Sequence, residues 1–162
     1  MKKFITLLGL ILGISAFLYY YYSAPRILER RLAGLIKTLD YSAVSLENQD
    51  KDAEHFASYF APSVTLSGAD NFLEGEADPD TLSRLYSENY RNSAKSISVQ
   101  LSEKPRTKLK SAKLAEMTFA LRIDIRSLSN FQDQREIPCH FQWEKTGGKW
   151  KISKIILLDP EE

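Results

Sequence analysis

The side chains able to do acid–base, nucleophilic or metal chemistry are few in this chain. Its single cysteine is Cys139, and its two histidines are His55 and His140. A cysteine needs a neighbouring histidine or carboxylate to become a nucleophile, and a free cysteine is more often a small buried apolar residue. The two histidines lack the spacing of a zinc site. We therefore expect no catalytic residues, no metal and no cofactor, which disfavours an enzyme without excluding one.

A run of acidic residues is a second pattern that could bind a cation. Glu74, Glu76, Asp78 and Asp80 alternate through one segment, and carboxylates are ligands of Ca²⁺. Their spacing does not follow an EF-hand loop, which needs carboxylates at set offsets and a central glycine. Asp78 and Pro79 also form a typical helix start, because Asp caps the first N–H groups and Pro suits the first turn. We expect a solvated acidic loop here.

Five basic residues lie within ten positions: Lys104, Arg106, Lys108, Lys110 and Lys113. This basic run could contact anionic lipid headgroups or an acidic partner. It could equally be a soluble hairpin loop whose charges protect a sheet edge. No aromatic residue is interleaved with these charges, which disfavours a stacking platform for single-stranded nucleic acid.

The overall charge also argues against a nucleic-acid partner. The 162 residues include 22 Lys and Arg against 21 Asp and Glu, and Lys2 and Lys3 lie at the N-terminus. The rest of the chain is therefore slightly acidic, whereas DNA-binding modules are basic. The 43% hydrophobic content is that of a globular protein, and the length allows one domain. A single cysteine excludes an intrachain disulfide.

The N-terminal segment is predicted to cross a membrane. Residues 4–22 contain no charged side chain, and as a helix they would extend roughly 28 Å, close to the thickness of a bilayer core. The tyrosines at 19–22 fit an interfacial aromatic belt. We predict an anchor over residues 1–24 and a domain over residues 25–162. The residues representative of the lipid-contacting segment are Phe4, Leu8, Leu12, Phe17, Tyr19 and Tyr22.

A cleaved signal peptide is the alternative to a retained anchor. Cleavage after Ala16 or Ala24 would place Ile14 or Tyr22 at the −3 position, where a small residue is needed. Both sites are poor, so the anchor is favoured. The two lysines before the apolar run are typical of a bacterial export signal, so we expect a single-pass membrane protein with its domain outside the cytoplasm, on the periplasmic side.

Three helices are predicted in the first half of the domain. Residues 25–39 place apolar side chains at three- and four-residue spacing, which indicates an amphipathic helix. A second helix is predicted over about 52–60, ended by Pro62 and followed by a short strand at 64–66. A third helix begins at Pro79.

The second half of the domain alternates apolar and polar residues, which predicts β-strands. The alternation is clearest over 115–125 and 137–143, with further strands at 97–101 and 150–158. Residues 146–148, Thr-Gly-Gly, predict a hairpin turn. One face of an antiparallel sheet is thus apolar, and the three helices can cover it.

Two motifs in this order of elements resemble a known superfamily. Residues 52–66 read DAEHFASYFAPSVTL, and residues 147–152 read GGKWKI. A helix that begins with an acidic residue and leads into a short strand, with a closing Gly-Trp-Ile hairpin, resembles the nuclear transport factor 2-like superfamily, also called cystatin-like or SnoaL-like. The resemblance covers about residues 33–158. It implies an α+β fold in which three N-terminal helices pack on a curved, mostly antiparallel sheet to form a cone, here preceded by one transmembrane helix.

The resemblance implies a fold more than a function, because the superfamily includes isomerases, dehydratases, hydrolases, cyclases and non-catalytic binders. Its enzymatic members point Asp, His or Tyr into the cone. Here the inward face of the two clearest strands has only Cys139 as a titratable residue. An enzyme of the lyase or isomerase type would need Tyr59 and Asp124 turned inward by a β-bulge.

Two non-catalytic hypotheses follow. The first is a membrane-anchored interaction or scaffold module that binds a membrane-associated protein or, as the resemblance implies, a second copy through the outer face of the sheet. The outer-face candidates are Arg122, Asp124, His140, Gln142 and Glu144. The alternative is a carrier or sensor of a small apolar ligand inside the cone. The bulky residues that could line such a pocket, or equally fill a packed core, are Phe56, Tyr59, Phe60, Met117, Phe119, Phe141, Trp143 and Trp150.

Overall fold

The computed structural model of this protein describes residues 12–15, 18–19, 22–42, 49–68, 74–90, 94–127, 129 and 131–158. Most of the predicted membrane segment, including Phe4, Leu8 and Phe17, lies outside the described residues. Residues 12–15 and 18–19 are helical, and Leu12, Tyr19 and Tyr22 are exposed. Within the described residues, every helix is too short or too polar to span a bilayer.

The first amphipathic helix is confirmed as α1, Ala24–Leu39. Ser23 precedes it in an extended conformation, and Pro25 lies in its first turn, where a missing N–H costs nothing. Its apolar stripe is buried against the sheet, and each fully buried leucine contributes about 1.5–3 kcal/mol. The buried residues of this stripe are Leu28, Leu32, Leu35 and Ile36.

The second helix, α2, spans Gln49–Ala57 and ends three residues earlier than predicted. The Ser58 hydroxyl donates to the His55 carbonyl oxygen (2.6 Å), and the Ile152 amide donates to the Tyr59 carbonyl oxygen (2.9 Å). The chain therefore leaves the helix at Ser58 to join the sheet. Phe60, which was expected in the helix, is the first residue of a strand.

The third helix, α3, spans Pro79–Leu85 and continues into a π-helical turn, Tyr86–Tyr90. The predicted cap is confirmed, because an Asp78 carboxylate oxygen accepts a hydrogen bond from the Thr81 amide (2.6 Å). This bond stabilises the ionised carboxylate and lowers the pKa of Asp78. Asp78 is thus a helix cap, which is the structural role that its position before Pro79 indicated.

The strands form one curved sheet that is antiparallel except for one parallel pair. In chain order they are β1 Tyr41–Ser42, β2 Phe60–Ser67, β3 Gly75–Ala77, β4 Ser96–Leu101, β5 Arg106–Leu109, β6 Leu114–Arg126, β7 Gln132–Thr146 and β8 Lys149–Leu157. Their spatial order is β1-β4-β6-β7-β8-β2-β3, and β5 pairs with the part of β6 that β4 leaves free. The parallel pair is β2 with β8.

The predicted alternation on the two longest strands is confirmed. β6 and β7 pair without interruption from Leu114 opposite Glu144 to Arg126 opposite Gln132. Because side chains alternate between faces, one face is apolar from Ala115 to Ile125 on β6 and from Ile137 to Trp143 on β7, and only Asp133 and Arg135 at the start of β7 depart from the pattern. Its buried members are Ala115, Met117, Phe119, Leu121, Cys139, Phe141 and Trp143. The α+β architecture, with helices on one face of a curved sheet, is the expected one.

Three short strands were not predicted. β1 lies in a stretch for which the sequence gives no prediction, β3 lies in the predicted acidic loop, and β5 lies inside the basic run. Each is four residues or shorter and has few apolar residues, so alternation gives no signal. They form only because a long strand presents unpaired backbone groups beside them. β3 pairs with β2, so Glu76, one of the four residues of the predicted acidic loop, belongs to the sheet.

A β-bulge and a tight turn shape the β7–β8 hairpin. Gly147 and Gly148 have φ angles of 58° and 78°, which a two-residue hairpin turn of this kind requires, so the predicted turn is confirmed. Further along, Gln142 pairs with Lys154 but Trp143 pairs with Ile152, which makes Ser153 the extra residue of a bulge. The bulge lets both Ile152 and Ile155 face inward.

Candidate binding cavity

An apolar cavity of about 320 Å³ lies between the helices and the concave face of the sheet. α1 contributes its last turns, α2 contributes Phe56, and α3 contributes Leu82 and Leu85. The sheet side comes from the parts of β6, β7 and β8 beyond the packed core. The full lining is Leu35, Leu39, Phe56, Phe60, Leu66, Leu82, Leu85, Tyr86, Leu121, Ile123, Ile137, Cys139, Phe141, Ile155 and Leu157.

The cavity has an inner end and a rim. Leu35, Phe60 and Phe141 are buried, whereas rim residues such as Ile123 and Ile137 are only half-buried. The bulge at Ser153 determines one side of this wall, because it turns Ile155 and Leu157 inward opposite Phe141 and Cys139. The cavity is therefore open toward solvent near Ile123 and Ile137, at the end of the sheet where α1 no longer covers β6.

Three aromatic rings, from α2, β2 and the π-helical turn, pack together on the wall of the cavity. Phe56 stacks on Tyr86, with ring centroids 4.5 Å apart and an interplanar angle of 13°. Phe56 also meets Phe60 edge-on at 4.9 Å. The Tyr86 hydroxyl donates a hydrogen bond to the Thr38 carbonyl oxygen at the end of α1. These contacts connect all three helices around the cavity.

Cys139 is the one thiol among the cavity-lining residues that the structure describes. Its Sγ lies 3.3 Å from the Ile137 carbonyl oxygen, to which the thiol donates. Burial raises the pKa of Cys139 to about 12, because the thiolate would lose its hydration. No histidine or carboxylate is among the lining residues that the structure describes. At neutral pH the residue is a thiol and a poor nucleophile.

The eight predicted pocket residues fall into two groups. Phe56, Phe60 and Phe141 line the cavity. The other five are buried where α1 packs directly on the sheet or at the end of α2, and they do not line the cavity. They are Tyr59, Met117, Phe119, Trp143 and Trp150.

Tyr59 belongs to a separate polar cluster between α1 and α2. Its hydroxyl lies 3.0 Å from His55 Nε2, and the Arg31 guanidinium lies over its ring, 4.9 Å from the centroid. Burial raises the pKa of Tyr59 and lowers that of Arg31, and the attraction between the two groups opposes both shifts. The Tyr59 ring also packs against Gly34.

Asp124 does not turn inward either. It is paired with Gln134 and Ser98 in an uninterrupted register on the outer face of the sheet. The bulge that an inward Asp124 would require occurs instead in β8. The structure thus places neither Tyr59 nor Asp124 at the cavity, and it does not bring together the two residues of the enzyme hypothesis.

The other outer-face candidates lie together on β6 and β7. Arg122 is exposed, and His140 and Glu144 are half-buried. Gln142 Nε2 donates to Ser153 Oγ across the bulge (3.4 Å). Neither histidine belongs to a metal-binding group, since the described residues contain no cluster of three His, Cys, Asp or Glu side chains.

No family model matches the chain, and no curated protein matches it. Solved structures do resemble it. A nuclear transport factor 2 superfamily protein from Salmonella enterica has a TM-score of 0.65 at 10% identity, covering 83% of this chain and 89% of that one. The fold is nuclear transport factor 2-like. This is the architecture that the two sequence motifs implied.

Two further proteins of similar fold have different functions, one as an enzyme and the other as an association domain. One is a hexachlorocyclohexane dehydrochlorinase from Novosphingobium barchaimii, with a TM-score of 0.59, 16% identity, and 81% and 88% of the two chains covered. The other is the association domain of CaMKII from C. elegans, with a TM-score of 0.56, 14% identity, and 82% and 95% covered. At these identities the likeness shows the fold alone.

Most of the cavity wall was not among the predicted pocket residues, which were chosen as bulky side chains. The other lining residues are aliphatic apart from Tyr86 and Cys139. The alternation had already placed Leu121, Ile123 and Ile137 on the inward face of this nuclear transport factor 2-like sheet. What the pattern could not show is where the helices stop covering that face, and this decides which inward residues border a cavity and which are packed.

Proposed function

We propose that this protein is a non-catalytic carrier or sensor of a small apolar ligand that binds in the cavity. The supporting observation is the cavity itself, because protein interiors normally leave few voids larger than a water molecule. Its volume of about 320 Å³ lies at the lower end of small-molecule pockets, which are roughly 300–1,000 Å³. An apolar cavity of about 150 Å³ is already enough for benzene.

The ligand expected from this wall is uncharged. An ion would lose its hydration on entering and would find no opposite charge among the lining residues. The Tyr86 hydroxyl already donates a hydrogen bond to the Thr38 carbonyl oxygen, and the Cys139 thiol already donates one to the Ile137 carbonyl oxygen. Binding would therefore rest on apolar contact, at about 25 cal/mol per Å² of surface removed from water.

The test compares two adjacent substitutions on β8. Ile155 lines the cavity, whereas Ile156 is paired with His140 on the outer face. Ile155→Phe should turn a rigid ring into the cavity and obstruct it, and Ile156→Phe adds the same volume outside it. We expect native mass spectrometry of the full chain, extracted from the producing cell, to show a bound small molecule in the wild type and in Ile156→Phe but not in Ile155→Phe.

Cys139 provides a second readout of the same prediction, because it is the only cysteine in the chain and lies on the cavity wall. The apolar disulfide 4,4′-dithiodipyridine should react with it at least about ten times more slowly in Ile155→Phe than in Ile156→Phe. In the wild type the rate should rise about tenfold per pH unit from pH 7 to pH 10, since the thiolate reacts and its pKa is about 12. Empty wild-type protein together with equal rates in the two variants would contradict the carrier hypothesis.

A membrane-anchored interaction module is the second candidate function. It is supported by the exposed outer face of the sheet, where Arg122, Asp124 and Glu144 offer charges of both signs. An association domain among the proteins of similar fold is compatible with it. The proposed partner is a second copy of this chain, with a membrane-associated protein as the alternative.

A single charge reversal tests this surface. Arg122→Glu should weaken association of the full chain at least tenfold, because charges across an interface are complementary and the reversed charge would face an unchanged partner surface. Analytical ultracentrifugation in mild detergent measures it. The matched control, Arg84→Glu, reverses an exposed charge on α3 and should leave the sedimentation unchanged. Identical sedimentation of all three proteins would count against the interface.

We also propose that residues 4–22 anchor the protein in a membrane with its domain outside the cytoplasm. The supporting observations are those of the sequence: nineteen residues without a charge, two lysines before them and poor cleavage sites after them. The anchor would hold the domain at the surface of a membrane, whose lipid phase accumulates apolar molecules.

A further inference from the structure

Two lysine-rich hairpins that are distant in sequence meet at one end of the sheet. The turn between β5 and β6 contains Lys110 and Lys113, and the turn between β7 and β8 is flanked by Lys145 and Lys149. The Lys145 amide donates to the Lys113 carbonyl oxygen (2.9 Å), so the two turns are in direct contact.

This end of the sheet has a strong local positive charge. Segments 104–113 and 145–154 together contain nine Lys and Arg residues and no Asp or Glu. Three acidic residues lie near it: Glu116 pairs with Lys110 (2.9 Å), Glu103 lies 3.9 Å from Arg106, and Glu144 lies opposite Lys151 in the β7–β8 hairpin. The chain as a whole has a formal charge of only +1, so the rest of the protein is acidic and this end is a local exception.

The lysines of the two turns point to solvent. Lys113, Lys145 and Lys149 are exposed, and none of the three forms an ion pair within the part of the chain that the structure describes. The two tryptophans of the β7–β8 hairpin, Trp143 and Trp150, are buried and cannot stack on nucleic-acid bases. The surface is therefore a cluster of free ammonium groups without aromatic residues.

The direction of α1 connects this surface to the N-terminal segment. The chain leaves α1 at Asp40, and Tyr41 pairs with Ile97, which pairs with Ile125 near the far end of β6. α1 packs on both β4 and β5 and is roughly 24 Å long. Its first residue, Ala24, therefore lies toward the lysine-rich hairpins, and the uncharged run 4–22 directly precedes it in sequence.

We propose that these two hairpins, 108–113 and 145–151, form a docking surface for the phosphate groups of an anionic lipid bilayer. Clustered ammonium groups within a Debye length of a negative membrane are attracted to it, and no shaped pocket is needed. The orientation of the domain on the bilayer rests on the proposed anchor, whereas the charge cluster is a feature of the described residues alone. An anchored domain would thus lie with this end against the bilayer and its cavity rim at the opposite end of the sheet.

The experiment uses the full chain reconstituted into vesicles. Ala112→Cys, exposed in the β5–β6 turn, is labelled at pH 7 with a thiol-reactive fluorophore, and buried Cys139 does not compete at this pH. Headgroup spin-labelled lipid then reports proximity by quenching. We expect stronger quenching in phosphatidylcholine vesicles containing 30% phosphatidylglycerol than in phosphatidylcholine alone, reversed by 0.5 M NaCl. A label at Ser129→Cys, at the other end of the sheet, should not be quenched.

Two triple variants with the same loss of charge separate a local surface from net charge. Lys113→Gln, Lys145→Gln and Lys149→Gln together should lower the ratio of docked to undocked protein roughly 100-fold, since each lysine near an anionic surface contributes about a fivefold factor. Lys37→Gln, Lys51→Gln and Lys95→Gln remove three exposed lysines elsewhere and should leave it unchanged.

The outcomes distinguish a surface that binds lipid from one that binds an acidic protein, and they test the membrane anchor separately. Equal quenching in neutral and anionic vesicles, or an equal loss in both triple variants, would overturn the proposal. If polyglutamate binds the wild type but not the hairpin variant while vesicles give no difference, the surface docks an acidic protein instead. Sedimentation with neutral vesicles in 0.5 M NaCl reports the anchor independently, so failure of the anchor and failure of the docking surface are distinguishable.

Discussion

Replacing Trp143 with alanine is expected to lower the free energy of unfolding by about 3–5 kcal/mol. Trp143 is completely buried at the centre of the sheet, with Ala115 opposite it on β6 and Ile152 opposite it on β8. Ala115 is too small to fill the space left by an indole ring, and Ile152 is fixed by the β8 register. The cavity would therefore stay open, and a loss of this size is a large fraction of the roughly 5–15 kcal/mol by which a domain is stable.

Urea titration of the full chain in mild detergent, followed by circular dichroism, measures this effect. Trp143→Phe is the informative companion, because the Trp143 Nε1 is buried without a hydrogen-bond partner among the described residues. Phenylalanine removes that unpaired donor and retains most of the ring, so it should cost clearly less than alanine. Phe131→Ala, on a side chain 68% exposed, should change stability by no more than about 0.5 kcal/mol. A loss below 1 kcal/mol for Trp143→Ala would show that this core is not closely packed.

Replacing Gly34 with alanine is expected to destabilise the protein by about 1–3 kcal/mol, although alanine is the better helix former by about 1 kcal/mol. Gly34 lies in α1, and a Cβ at this position would collide with the Tyr59 hydroxyl and lie 3.3 Å from Cζ of the same ring. Tyr59 cannot easily withdraw, because His55 and Arg31 contact it from the other sides. The close approach of α1 to α2 therefore depends on glycine.

A double-mutant cycle tests this explanation. Tyr59→Phe removes the hydroxyl that a Cβ would strike, so Gly34→Ala in the Tyr59→Phe background should be close to neutral. The same urea titration gives all four stabilities. If Gly34→Ala costs equally in both backgrounds, the cause is not the contact with the Tyr59 hydroxyl.

Local patterns predicted the elements whose signal lies within a few neighbouring residues. The three- and four-residue spacing from Ile27 to Leu39 predicted α1, and Asp78-Pro79 predicted the start of α3. The alternation at 115–125 predicted the inward face of β6, because the period of a strand is two residues whatever its partners are. These features depend on backbone geometry and on one neighbouring surface, so they can be predicted from the sequence without knowledge of the tertiary structure.

Features that depend on contacts between segments distant in sequence could not be predicted in this way. β5 is a strand only because β6 has unpaired backbone groups beside it. α2 ends at Ala57 because the backbone at Tyr59 and Phe60 pairs with β8. The bulge at Ser153 has no sequence signal, yet it decides that Ile155 and Leu157 face the cavity. The membrane prediction lies mostly outside the described residues and stays a prediction.

The sequence by itself determined the fold class, the apolar face of the sheet and the scarcity of catalytic side chains, because these follow from residue types and short periods. Only the tertiary structure decided which inward residues border a cavity and which are packed, since that depends on where α1 ends over the sheet. It also decided that the lysines at 113 and 145 share one surface. Their turns are more than thirty residues apart, and only the pairing of β6 with β7 brings them together.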